Sequence, residues 1–262
     1  MTNAALHVAR TGLDAQSARM RVIANNLANV NTTGFKRDRA EFETLAYQTM
    51  VAPGAPSSAS SLYATGVSLG SGVQMTGTAR ISSQGALAST DNPLDLAIEG
   101  DGFFQVALPD GRTAYSRAGN FNLSADGQVV TGEGLVLQPQ IQVPEGAQSL
   151  TVGSDGTVSA ILPGETEASQ LGQIELARFV NPSGLQAHGD NLYTETAASG
   201  AAQVGAAAAE GRGSIRQGML EASNVNVVQE LVDMIETQRA YEVNSKMISA
   251  TDEMLRNANQ QL

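Results

Sequence analysis

Two carboxylates, Glu99 and Asp101, bracket Gly100 in the stretch LDLAIEGDGFFQV at Leu94–Val106. Paired carboxylates are what a glycosidase uses as acid and base, and a glycine-rich turn can bring backbone amides up to a phosphate. Neither chemistry suits its surroundings. No helical pattern follows Gly100-Asp101-Gly102 or the similar Gly132-Glu133-Gly134, and an acidic residue stands where an anion would bind, so both read as turns. Sugar platforms are scarce, with aromatics at 4% and no Trp. The absence of Cys excludes disulfides, zinc-thiolate sites, iron-sulfur clusters and a thiol nucleophile. The two histidines, His7 and His188, have no second ligand nearby in sequence and read as surface residues. Asp-Gly pairs at Asp110-Gly111, Asp126-Gly127 and Asp155-Gly156 are too irregularly spaced for calcium repeats and favour tight hairpins instead. The expectation is therefore no catalytic residue, no cofactor and no metal; a hydrolase using Glu99 and Asp101 is the rival reading.

Charge narrows the partners. The net charge is −11, and the acidity is concentrated in residues 46–212. Such a surface repels a phosphate backbone, and no basic cluster longer than Lys36-Arg37 compensates, which argues against nucleic acid. No apolar run is long enough to span a membrane, and the N-terminus lacks the basic start and apolar core of a cleavable secretory signal.

The elements carrying the remaining signal are at the two ends. Leu6, Leu13, Met20 and Leu27 recur every seven residues with Ile23 and Val30 alongside, predicting a helix over 4–30 with Asn3 as its cap. Val227, Met234, Tyr241, Ile248 and Leu255 do the same, flanked by Val228, Leu231, Ile235, Met247 and Met254, and predict a helix over 227–257. Asn226 followed by Gln229 reads as a capping box. Gln238, Asn244, Ser245 and Thr251 are polar companions, so a lone two-stranded coil would be weak and the helices want further neighbours. Between them the period drops to two in short β-prone segments such as Phe103–Ala107, Thr157–Ala160 and Gln173–Phe179. The uncharged stretch 52–72 and the Ala-rich stretch 196–213 read as extended connectors or loops, with Leu62, Tyr63, Val67 and Leu69 as apolar anchors in the first.

The expected fold is α+β: long N- and C-terminal helices packed as a discontinuous coiled-coil-like module around a central antiparallel β domain. The expected divisions are 1–35 and 216–262 for the helical module, 36–75 for an extended connector and 76–215 for the β domain. Terminal helices with little to pack against in one chain suit an open, self-assembling filament. Leu6, Leu13, Met20, Ile23, Leu27, Val227, Leu231, Met234, Tyr241, Ile248 and Leu255 are the candidate assembly residues.

The stretch ANNLANVNTTGFKR at Ala24–Arg37 resembles the N-terminal signature of the axial proteins of the bacterial flagellum, its rod and hook subunits. LDLAIEGDGFFQV and YSRAGNFNLSADGQVVTGEGLVLQP resemble their central β domain, and the C-terminal helix from Ser223 to Leu255 resembles theirs. The chain is short for most hook proteins, which favours the rod. The resemblance implies a helical homopolymer crossing the periplasm, with the terminal helices in an inner tube and the β domain outside. It implies export through the flagellar export apparatus without cleavage. The implied partners are other copies, proximal rod proteins, the hook protein and surrounding basal-body rings, with no nucleic acid and no membrane insertion.

Overall fold

The computed structural model of the chain describes residues 2–58, 61–147, 149–163 and 168–260. It is α+β, with a long helix at each end, α1 (Thr2–Ala28) and α2 (Val227–Gln260), and antiparallel strands between. The chain forms two compact units. The first gathers Met1–Leu27, Asp38–Ala79 and Asn226–Leu262; the second gathers Ala28–Arg37 and Arg80–Val225, so it leaves out 76–79 and takes in 28–37 and 216–225 beside the expected 76–215.

The helix limits follow local chemistry. Asn226 Oδ1 accepts hydrogen bonds from the amides of Val228 (3.0 Å) and Gln229 (3.3 Å), so the N-cap of α2 is real. The reciprocal half of the capping box is absent, because the Gln229 amide donates instead to Asp233 Oδ1 at 3.2 Å. Asn3 lies inside α1 rather than ahead of it, so it is not the cap that the sequence suggested.

Residues 38–79 form a two-stranded antiparallel ribbon. Asp38–Thr44 pairs with Val73–Arg80, Tyr47–Val51 with Val67–Gly70, and Pro56–Ser58 with Ser61–Leu62. The reading of 52–72 as an extended connector or loop did not include this pairing. Every extended backbone needs partners for its amides and carbonyls, and the segment supplies its own. Tyr47, Thr49 and Val51 recur at the period of a strand, as do Val67 and Leu69 on the facing strand.

The second unit is built on a seven-stranded sheet. Its order is Gln186–Gly189, Leu192–Thr194, Thr113–Ser116, Phe103–Ala107, Glu175–Arg178 and Gln203–Ala206, with Leu137–Gln138 also paired to Phe103–Ala107. Side chains alternate across the central strand. Phe104 and Val106 enter the main core with Ile98, Phe121, Leu137, Leu176 and Ile215, and Phe104 meets Phe121 edge-on at 5.1 Å. Phe103 faces the other way, into a smaller aromatic cluster with Tyr115, Phe179, Leu185 and Tyr193. The Asp-Gly pairs at 110–111, 126–127 and 155–156 make hairpin turns, with Gly111, Gly127 and Gly156 at φ of 81°, 73° and 87°. The Ala-rich stretch 196–213, read as an extended connector or loop, contributes the strand Gln203–Ala206 and buries Ala207 in the main core. Its small side chains made the strand hard to recognise.

Candidate assembly surface

In the first unit α1 and α2 run antiparallel. Asn26 Nδ2 donates to Glu230 Oε2 (3.2 Å), Arg19 reaches Asp233 (3.9 Å), and Gly12 faces Asn244. A Cβ on Gly12 would lie 3.1 Å from Asn244 Nδ2, so the missing side chain sets how closely the helices approach. The fully buried side chains of α1 among those described are Ala9, Ala15, Ala18, Ile23 and Asn26. Those of α2 are Glu230 and Thr237, both polar. Glu230, Thr237, Asn244 and Thr251 follow one another at heptad spacing and form the inward stripe of α2. Asn26 closes the pair further by accepting the Asp38 amide and donating to the Asp38 carbonyl, each at 2.9 Å.

The apolar residues lie elsewhere. Of the candidate assembly residues, only Ile23 is fully buried; Leu6, Leu13, Met20, Leu27, Met234 and Ile248 are half-buried. Val227, Leu231 and Tyr241 are exposed, and Leu255 lies outside the residues whose side chains are described. Their neighbours are more open still, with Val228 at 71%, Ile235 at 51% and Val243 at 58% exposure. A helix that gives its fully buried positions to Glu230 and Thr237 while Val228, Leu231, Ile235 and Val243 face solvent departs from the usual amphipathic arrangement. The polar companions at Asn244 and Thr251 were visible in the sequence, but their spacing with Glu230 and Thr237 was the missed signal.

The ribbon is also open. Leu62, Tyr63, Val67 and Leu69 are all exposed, as are Tyr47 and Met50 on the facing strand. Its base is held to α1, where the Val73 amide meets Thr11 Oγ1 at 3.4 Å and His7 Nδ1 meets the Ser71 carbonyl at 3.3 Å.

The second unit hides a charged cluster that composition does not reveal. Glu221, 1% exposed, takes Lys36 Nζ and Arg117 Nε at 2.6 Å each and the Gly85 amide at 2.9 Å. Arg117 spends its other donors on the carbonyls of Gly102, Ile98 and Gly100, and Lys36 donates to the Ser83 carbonyl. Burial works against the Glu221 carboxylate, but the Arg117 charge, hydrogen bonds from Lys36 and Arg117 and the Gly85 amide hold its pKa below the usual range. Lys36 moves down too. Burial outweighs its bond to Glu221, and Arg117 repels it across the shared carboxylate. Gly34, at φ +69°, packs so tightly that a Cβ would sit 2.7 Å from the Arg117 backbone, while its amide donates to the Glu221 carbonyl at 2.8 Å.

The residues that prompted the hydrolase reading do not form a site. Glu99 pairs with Arg216 on the surface at 2.8 Å, and Asp101 is exposed. His188 is exposed on its strand.

Three family profiles match the chain in order: a flagella basal body rod protein profile over residues 6–36, a flagellar hook protein FlgE/F/G D1 domain over 97–160, and a flagellar basal body rod FlgEFG protein C-terminal region over 216–261. The chain is 49% identical to the flagellar basal-body rod protein FlgG of Buchnera aphidicola subsp. Acyrthosiphon pisum, across 97% of this chain and 98% of that protein. It is 48% identical to FlgG of Caulobacter vibrioides, across 98% of each. The flagellar basal-body rod protein FlgF of the same bacterium is 39% identical, across 92% of this chain and 90% of that protein.

Proposed function

The chain belongs to the flagellar basal-body rod family, and from that premise we propose that it assembles by burying the outward apolar stripe of α2 against other copies. It is a structural subunit of the distal rod, a component of the flagellar basal body that assembles with other rod and hook components. The observation that carries the proposed mechanism is the exposure of Val228, Leu231, Ile235 and Val243 on α2. Covering one large apolar side chain contributes about 1.5–3 kcal/mol, so several per subunit offset the freedom that copies lose on association. A surface that is complementary to a different face of the next copy propagates as an open helix, which is the geometry of a shaft that transmits torque.

On this reading the partners are other copies of the chain, proximal rod proteins at one end, the hook protein at the other, the surrounding basal-body rings and the flagellar export apparatus, which delivers the chain without a cleavable signal. Leu6, Leu13, Met20, Ile23, Leu27, Val227, Leu231, Met234, Tyr241, Ile248 and Leu255 serve assembly, and Leu62, Tyr63, Val67 and Leu69 add contacts along the ribbon. The chain does no catalysis and needs no cofactor. FlgG relatives at 47–50% identity favour the distal rod over a proximal rod or hook subunit.

Leu231→Asp tests the mechanism, because Leu231 is 43% exposed in the single subunit and its replacement leaves the intramolecular pair intact. The variant is expected to keep its helical circular dichroism and to stay monomeric in sedimentation at concentrations where the parent polymerises. Rods of normal length from Leu231→Asp would falsify the reading.

A further inference from the structure

A cavity of about 160 Å³ opens into the second unit beside the buried cluster. Its wall is the aromatic group of Phe103, Phe179 and Tyr193, with Leu185 and Pro182, and Phe103 meets Phe179 and Tyr193 edge-on at 5.9 and 6.0 Å. Among the described residues, four cations line it, Lys36, Arg80, Arg117 and Arg178, against a single acid, Asp101. That is an unusual concentration in a chain with only 15 basic residues and a net charge of −11.

The four cations have different duties. Lys36 and Arg117 are committed to Glu221 and the carbonyls around it. Arg80 lies over the Tyr193 ring, its Cζ 4.7 Å from the centroid, which fixes a guanidinium at the aromatic wall. Arg178 is half-buried and rests beside Gly211, and its guanidinium has no hydrogen bond or ion pair with any described residue. A half-buried guanidinium whose donors go unused, next to an apolar wall, is complementary to a carboxylate on an apolar stem.

We propose that this cavity binds an acidic side chain flanked by an aromatic or aliphatic residue, presented by an adjoining protein chain. Arg178 takes the carboxylate, and the Phe103–Phe179–Tyr193 wall takes the apolar neighbour. Glu221 already neutralises much of Lys36 and Arg117, so the guanidinium left for a ligand is that of Arg178. One carboxylate answers it. The proposal rests on the rod reading only in taking the ligand from a neighbouring protein, and the probes below do not depend on rod assembly.

The test titrates the full chain, kept at a concentration where sedimentation shows monomer, with acetyl-Phe-Glu-amide and with its neutral counterpart acetyl-Phe-Gln-amide, followed by ligand-observed NMR. The Glu peptide is expected to bind about tenfold more tightly, the scale of one charge-assisted contact. Arg178→Gln should remove the difference, and Arg178→Lys should restore part of it. Val180→Glu, at a rim position 79% exposed, places a tethered carboxylate at the mouth and should displace the Glu peptide without disturbing the fold. Equal binding of the two peptides, no binding of either, or a preference that survives both Arg178→Gln and Val180→Glu overturns the proposal. Polymerisation of the same variants is scored separately, so that loss of peptide binding with normal rods counts against the peptide's being a rod contact and leaves the α2 mechanism standing.

Discussion

Glu221 sits between two cations, and that asymmetry decides its chemistry. Its charge is doubly favoured, while Lys36 shares a carboxylate already claimed by Arg117. Because the folded pKa of Glu221 lies below its unfolded value, the unfolded chain binds more protons across that window. Its contribution is therefore present above the ordinary Glu range of about 4.3 and is lost as pH falls through the folded value. Urea titrations across pH should show Glu221→Gln less stable near neutrality by about 3–5 kcal/mol, since it strands two buried cations, and with a flatter acid limb. A wild-type acid limb in Glu221→Gln would show that the cluster is not what titrates. Gly34→Ala is expected to cost more than the roughly 1–2 kcal/mol of a left-handed alanine, because its Cβ also meets the Arg117 backbone. Thermal melts of the purified variant measure it.

Among the elements, the helices were legible in the sequence and their pairing was not. A seven-residue apolar repeat announces a helix, but it does not say whether the apolar stripe faces inward or outward. Here the inward stripe runs through Glu230, Thr237 and Asn244, and small residues on α1 let it come close. Hairpins marked by Asp-Gly were legible because the turn demands positive φ, whereas the Gln203–Ala206 strand lacked the bulky residues that usually mark a strand, and the Ala/Ser/Gly/Pro-rich run between Val51 and Val67 masked the ribbon's alternation. The aromatic cavity depends on residues brought together from Lys36 to Tyr193, which no local pattern announces. Gly12→Leu tests the helix pair: wedging the helices at Asn244 should lower the melting temperature of α-helical signal while leaving the β signal in place. Removing residues 54–66 keeps the Tyr47–Val51 and Val67–Gly70 pairing but strips Leu62 and Tyr63 from the ribbon. Such subunits are expected to polymerise into a curved, more flexible tube, and straight rods of normal stiffness in micrographs would make the ribbon a mere spacer.

For the whole molecule, the two units make separable demands on the chain. Arg37 and Ile81 are joined by a backbone hydrogen bond of 2.9 Å, so the second unit brings together the two ends of the excursion through 38–79. Residues 28–37 joined by a short glycine link to 80–225 should fold as a soluble, monomeric β protein with one cooperative melt. The fragment 76–215, which omits both Lys36 and Glu221, should melt lower, and equal melting temperatures would show that the cluster adds nothing to the unit. The same cluster imposes an order in time. Lys36 and Glu221 are 185 residues apart along the chain, and Arg117 and Glu221 are 104 apart. A polypeptide that emerges N-terminus first, from a ribosome or from a pore, shows its two cations long before the one carboxylate that can seat them. Until Glu221 arrives, Lys36 and Arg117 lack the buried carboxylate that holds them, so closure of the unit is expected to wait until nearly the last of it has been delivered.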